Sequence, residues 1–243
     1  MSDFPPNLSI RPLTIEDVDQ CIALEAKGFS KNERATLQKL KYRLTVCPEL
    51  CSGLFIRDYK YKYNAINLPS VAESLEKKHE VVKRSGQTTP ELEDGVDSDA
   101  LDKGDDDDLE DLPMSSSVIK ETLVGHIIGT KMSSARVTNE AMDLPTDNDD
   151  TTGHIEGSRY IGIHSLVIDP EWQGKNLGTL IMHDYIQKLS NQDLGDKVSL
   201  LCKDKLVPFY EKIGFNNLGQ SECKFGGVSW IDMSMDLIPE DDD

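Results

Sequence analysis

The 243-residue chain has no apolar run near the roughly 18 residues that a membrane span needs. Its first residues, Met1-Ser2-Asp3-Phe4-Pro5-Pro6, lack the basic and apolar segments of a secretory leader, so the expected location is cytoplasmic, with no membrane partner. Paired cysteines are missing as well. Cys21, Cys47, Cys51, Cys202 and Cys223 are odd in number and show no C-x-x-C spacing, which argues against a disulfide framework and against a zinc site, and no metal is expected. Basic residues are scarce: 26 Lys and Arg face 44 Asp and Glu, a formal charge of −18. A nucleic-acid partner requires clustered cations to displace phosphate counterions, and this balance excludes that class. A cationic small molecule suits such a field better.

The acidity is uneven. Residues 64–117 carry 15 Asp and Glu against 5 Lys and Arg and have little to bury, so they read as a disordered acidic insertion. A solvated loop is its plain reading, and contacts with another protein through this insertion are the second. Residues 139–157 read as a second acidic loop with weak strand character around Glu140 to Leu144, and residues 238–243 as an acidic tail. The remainder, 37% hydrophobic over the whole chain, suffices for one core, so residues 1–243 are read as a single domain.

Outside those segments the chain alternates short elements. Leu8 to Leu13 reads as a strand, and Thr14 with Asp17 three residues on gives a helix start, followed by an apolar stripe from Ile15 to Lys27. Leu37, Leu40 and Leu44 mark a second helix that stops at Cys47-Pro48. Strands follow at 53–57 and 120–131, the two pairing across the insertion. Later come a strand at 197–202, a short helix at 206–213 with Pro208 in its first turn, and a closing hairpin around Gly226-Gly227. This order describes an α/β fold with a mixed sheet flanked by helices.

One stretch organises the rest. Ile163 to Ile168 reads as a buried strand, Asp169-Pro170 ends it, and helical spacing begins near Thr179 with Leu180, Ile181, Tyr185 and Leu189. Between them the backbone N–H groups of Gly174 to Gly178 stand where a helix start leaves donors unpaired, which makes an anion site.

Ile163-His164-Ser165-Leu166-Val167-Ile168, the 173–178 loop, and Leu206-Val207-Pro208-Phe209-Tyr210-Glu211-Lys212-Ile213-Gly214-Phe215 together resemble the core motifs of the GNAT acetyltransferase superfamily. With Glu25 to Phe29 and Thr45 to Leu50, they resemble more narrowly the arylalkylamine (serotonin-type) N-acetyltransferase family, in particular a fungal-type arylalkylamine/polyamine acetyltransferase. The resemblance implies a GNAT-like mixed, mostly antiparallel sheet whose central parallel strands splay apart. It also implies acetyl-CoA as co-substrate. The pyrophosphate would lie on Gln173, Gly174, Lys175, Asn176, Leu177, Gly178 and Thr179, and the pantetheine amides would pair with the backbone of Leu166, Val167 and Ile168. A backbone N–H near Val167 would steady the oxyanion. In the loop pattern Q/R-x-x-G-x-G/A, the central glycine is Asn176 here. Asn tolerates left-handed backbone angles, so weakened rather than abolished phosphate binding is expected.

An alkyl amine has a pKa near 10, so roughly one molecule in a thousand is uncharged at neutral pH and a base helps. The resemblance gives that task to His164, through water, and gives Tyr210 the task of protonating the departing thiolate. The family's other histidine, two residues before His164, is Gly162. Packing is the other reading of both residues. Phe29, Leu201 and Trp230 match family pocket positions and would hold the amine's apolar body, with core packing equally open for each. His126 and His154 read as structural or exposed.

The activity expected is transfer of acetyl from acetyl-CoA to the primary amine of a small arylalkylamine or polyamine, by direct attack in a ternary complex. A protein or peptide amine acetyltransferase and a non-catalytic acyl-CoA-binding protein are the alternatives.

Overall fold

The computed structural model describes residues 4–60, 117–146 and 152–237. The chain divides into a body, residues 1–57 with 121–243, and a segment of residues 58–120, of which only the strand ends 58–60 and 117–120 are described. Residues 64–116 of the acidic insertion and the tail 238–243 lie outside the described residues.

The body is built from β1 (Leu8–Pro12), α1 (Val18–Gly28), α2 (Leu37–Val46), β2 (Cys51–Lys60), β3 (Ser117–Met132), α3 (Asn139–Met142), β4 (Tyr160–Ile168), α4 (Leu177–Asn191), β5 (Lys197–Cys202), α5 (Val207–Ile213), β6 (Asn216–Gln220) and β7 (Ile231–Asp236). Seven strands form one sheet in the order β1-β2-β3-β4-β5-β7-β6. The fold is the mixed, mostly antiparallel α/β arrangement expected, with β4 and β5 as its parallel pair.

Helices cover both faces. On one, Leu177, Ile181, Tyr185 and Leu189 repeat at helical spacing along α4 and pack on Ile161, Val198 and Met233 of the strands. On the other, Cys21 and Leu24 of α1 and Leu40 and Leu44 of α2 pack on Phe55, Ile128 and Val167. The entry to α1 is fixed by charge. The Asp17 carboxylate accepts from Thr14 N at 2.8 Å and from both Arg11 guanidinium ends at 2.8 and 2.9 Å. Thr14 therefore leads a 3-10 turn, Ile15–Asp17, before α1.

Two details depart from expectation. The stretch 139–157 is not loop throughout, because Thr138 Oγ1 accepts from Ala141 N at 3.2 Å and starts the short helix α3 where weak strand character is read from the sequence. The closing hairpin is also shorter than read, with a register shift between Asn217 and Gln220.

The β3–β4 pairing contains the irregularity that shapes the site. Ile128 opposes Ser165, but the next pair is Gly129 with Ile163, leaving His164 as an extra residue in β4. A bulge of this kind sends two consecutive side chains to one face. His164 and Ser165 thus both point toward the α1–α3 side, where they meet Met142 and Glu25. Just before the bulge, Gly162 has no room for a side chain, since a Cβ there would lie 2.2 Å from Met132 Sδ.

Candidate active site

The parallel pairing of β4 with β5 runs only from Tyr160↔Lys197 to Ile163↔Leu200. Beyond Ile163, β4 keeps its β3 partners as far as Ile168, and β5 keeps its β7 partners as far as Cys202. The two strands therefore part, and residues 164–168 of β4 have no ladder partner on the β5 side among the described residues. A cavity of about 520 Å³ fills this fork.

At one end of the cavity Asp169 caps the turn after β4 by accepting from Glu171 N at 3.1 Å, and the chain then winds into α4. Gly174 and Asn176 both have positive φ, 76° and 57°. Asn176, at ψ 16°, holds the left-handed conformation that a glycine would take and is the residue on which α4 starts. The N–H groups of Leu177, Gly178 and Thr179 precede the first intrahelical bond, Leu180 N to Asn176 O at 3.0 Å. Gln173, Gly174, Asn176, Leu177, Gly178 and Thr179 all line the cavity. Lys175 does not; its Nζ lies 5.9 Å from the Trp172 ring centre. Gln173 Nε2 donates to Ile168 O at 3.0 Å and ties the loop to the strand end. Lys205 adds positive charge to the lining, while Lys203 is paired there with Glu33. Donors, helix dipole and Lys205 fit a phosphate-bearing ligand.

Of the acid–base candidates, Tyr210 stands on α5 at the cavity wall, with its ring edge-on to Phe209 at 4.9 Å and to Phe215 at 5.7 Å. Burial pushes its phenol above the usual value of 10, so it stays protonated at neutral pH. His164 also lines the cavity. Its Nε2 lies 2.7 Å from Thr130 Oγ1 and its Nδ1 3.1 Å from Met142 Sδ, so both ring nitrogens have protein partners. Burial, and then the charges of Arg43 and Lys39, hold this imidazole well below its ordinary value of 6.5. It is neutral at pH 7.

This depression has a measurable sign. Below about pH 6.5 the unfolded chain takes up a proton at this position that folded His164 refuses, so stability falls as pH drops from 6.5 toward the folded value. One such proton corresponds to about 1.4 kcal/mol per pH unit. Urea unfolding between pH 7 and pH 5 is therefore expected to show a steeper loss in the wild type than in His164→Gln. Parallel profiles would rule the depression out.

The far end of the cavity is aromatic. Phe29, Leu201 and Trp230 line it, together with Phe225 and Met142. Trp230 Nε1 donates to Phe225 O at 2.7 Å, which fixes the indole. Glu33, which nothing in the sequence singles out, reaches the same wall and is held by Lys203 Nζ at 2.7 Å. Ser165 is also part of the lining, and behind it lie Glu25 and His126, both fully buried. His154 is tied elsewhere: its Nδ1 accepts from Lys131 N at 3.2 Å and its Nε2 lies 2.9 Å from Glu156. Cys202 lines the fork, but burial pushes its thiol up to about 11. No cluster of three or more His, Cys, Asp or Glu among the described residues is placed to hold a metal ion. No described helix is long and apolar enough to cross a membrane.

A forked parallel pair, a helix-start anion cradle and an aromatic pocket in one cavity define a class, and the acetyltransferase (GNAT) domain profile matches residues 104–237. The chain belongs to that family. Among individual proteins, it is similar to serotonin N-acetyltransferase of Mesocricetus auratus, 29% identical over 115 residues, which are 47% of this chain and 51% of that protein. The chain spans about half the length of the curated relatives it matches. Among solved structures, the loading GNATL domain of CurA from Lyngbya majuscula aligns at a TM-score of 0.55 and 15% identity, over 95% of this chain and 98% of that one. The GphF GNAT-like decarboxylase in complex with isobutyryl-CoA aligns at 0.55 and 13%, over 95% and 100%. These two likenesses concern the fold.

Proposed function

We propose that the chain transfers the acetyl group of acetyl-CoA to the primary amine of a small arylalkylamine or polyamine, by direct attack within a ternary complex. The observation that carries this reading is the fork. One cavity runs from the N–H donors at the start of α4, along the unpaired edge of β4, to Tyr210 and the aromatic pocket. The pyrophosphate would rest on 173–179 and the pantetheine arm would pair with the edge at Leu166, Val167 and Ile168. The thioester then sits by Tyr210, and Phe29, Leu201 and Trp230 hold the amine's carbon body. Similarity to a serotonin N-acetyltransferase over half its length supports an arylalkylamine as acceptor.

Direct attack is favoured over an acetyl-cysteine intermediate by the state of the thiols. Cys202, the cysteine in the fork, is almost entirely protonated at pH 7 with its pKa pushed up to about 11, and a thiol is a poor nucleophile. Steady-state kinetics with acetyl-CoA against phenethylamine, tryptamine, spermidine and a lysine-containing peptide test the assignment. Intersecting reciprocal plots with one of the small amines are expected. Parallel plots would point to an acetyl-enzyme, and turnover of the peptide alone would move the activity to protein amines. Tight acetyl-CoA binding with no turnover on any amine would leave a binding protein.

A further inference from the structure

Behind the cavity wall lies a polar cluster that the transfer reading does not use. Glu25, from the buried stripe of α1, is 1% exposed, and its Oε2 accepts from Ala35 N at 2.9 Å. Its Oε1 accepts from the Ser165 hydroxyl and lies 3.1 Å from His126 Nε2. The same imidazole nitrogen is 3.1 Å from Ser165 Oγ. Since a carboxylate only accepts, Nε2 carries the hydrogen of that contact. The other ring nitrogen, Nδ1, is buried and has no partner among the described residues.

Ser165 connects the cluster to the cavity, because it lines the wall beside His164, brought there by the bulge. A hydroxyl has one hydrogen and two lone pairs. The hydrogen goes to Glu25, and at most one lone pair is occupied by His126. One lone pair remains. By contrast, the neighbouring His164 meets Thr130 and Met142 through both its nitrogens.

We infer that Ser165 is a proton port of the transfer reaction, with Glu25 as the acceptor behind it and His126 as the residue that positions both. The inference rests on the transfer reading above. In the step, the N–H bond of the attacking amine breaks and its proton joins Ser165 Oγ, while the Ser165 O–H bond breaks and that proton joins Glu25 Oε1. The amine nitrogen loses its positive charge and Glu25 its negative one, so no net charge is created in the buried site. Ser165 touches the substrate; Glu25 and His126 act through it. After the acetylated amine leaves, the proton returns to solvent along the same path.

Three readouts on the full chain test this with a slow amine, for which chemistry sets the rate. Ser165→Ala is expected to lower kcat 10- to 100-fold with KM and acetyl-CoA affinity within about threefold, and Ser165→Thr, which keeps a hydroxyl, to recover most of the loss. In the wild type, two protons moving in one step give a rate that curves with deuterium fraction in mixed light and heavy water. A linear dependence overturns the relay even where Ser165→Ala fails to fold. Ser165→Ala at the wild-type kcat also overturns it. A wild type that binds acetyl-CoA and acetylates no amine overturns the transfer reading itself, and the relay falls with it.

Discussion

Tyr210→Phe is expected to lower kcat about 100-fold while leaving the thermal midpoint and the affinity for acetyl-CoA unchanged. The hydroxyl of Tyr210 makes no hydrogen bond to another described residue, and the ring is held by edge contacts to Phe209 and Phe215 that phenylalanine keeps. Folding thus loses nothing when the oxygen goes. On the proposed transfer the reaction would lose its proton donor, since Tyr210 lines the fork and burial keeps its phenol protonated. General acid assistance is typically worth 10²- to 10⁴-fold, and the lower end applies here because a thiol of pKa about 8.5 leaves with little help. Pre-steady-state measurement of the chemical step, alongside thermal unfolding, gives both numbers. An unchanged rate removes the acid role, and a fall in stability equal to the loss of rate would make Tyr210 a packing residue.

The second large effect is on stability. Gly162→Ala is expected to cost about 1–3 kcal/mol, since the new methyl would lie 2.2 Å from Sδ of Met132, 2.9 Å from its Cγ and 3.0 Å from its Cε. Met132 is fully buried against Val137, Ala141 and Met142. At roughly 2–4 °C per kcal/mol for a chain of this size, differential scanning calorimetry resolves the change. Met132→Ala should cost stability by itself, as an opened cavity does, but the double variant should recover part of the Gly162→Ala loss. Strict additivity of the two would show that the contact does not limit the site. The same contact accounts for the absence of a histidine two residues before His164: the volume it would need is filled by a thioether from the adjacent strand.

That contact marks where sequence reasoning stops. The anion loop, the Pro208 helix and the strand before them are legible because each depends on neighbours within a few residues: a capping aspartate, a proline, a residue tolerant of positive φ at 176. The placement of Phe29, Leu201, Trp230 and Tyr210 around one cavity follows once the order of elements is known. Glu25, His126 and Ser165 are different. They are separated by 101 and 140 positions from Glu25, and what joins them is a one-residue slip in the pairing of β3 with β4. No local pattern encodes that slip, and without it Ser165 would face α4 instead of α1. Glu33 is hidden for a similar reason, since its partner Lys203 comes from the loop after β5. The short helix α3 was within reach, because Thr138 is a good cap, but the acidic and polar residues after it mask its single turn.

The open edge of β4 has a thermodynamic consequence. Backbone groups at 164–167 that face the β5 side without a ladder partner represent hydrogen bonding left unmade between the two strands. A molecule that lies in the fork and pairs through its own amides acts as the missing strand, so it contributes to the sheet as well as to the reaction. Occupancy and folding are then linked equilibria, and at one hundred times its Kd such a molecule adds about 2.7 kcal/mol to the native state. A molecule bound in the fork in this way raises the folded fraction at equilibrium.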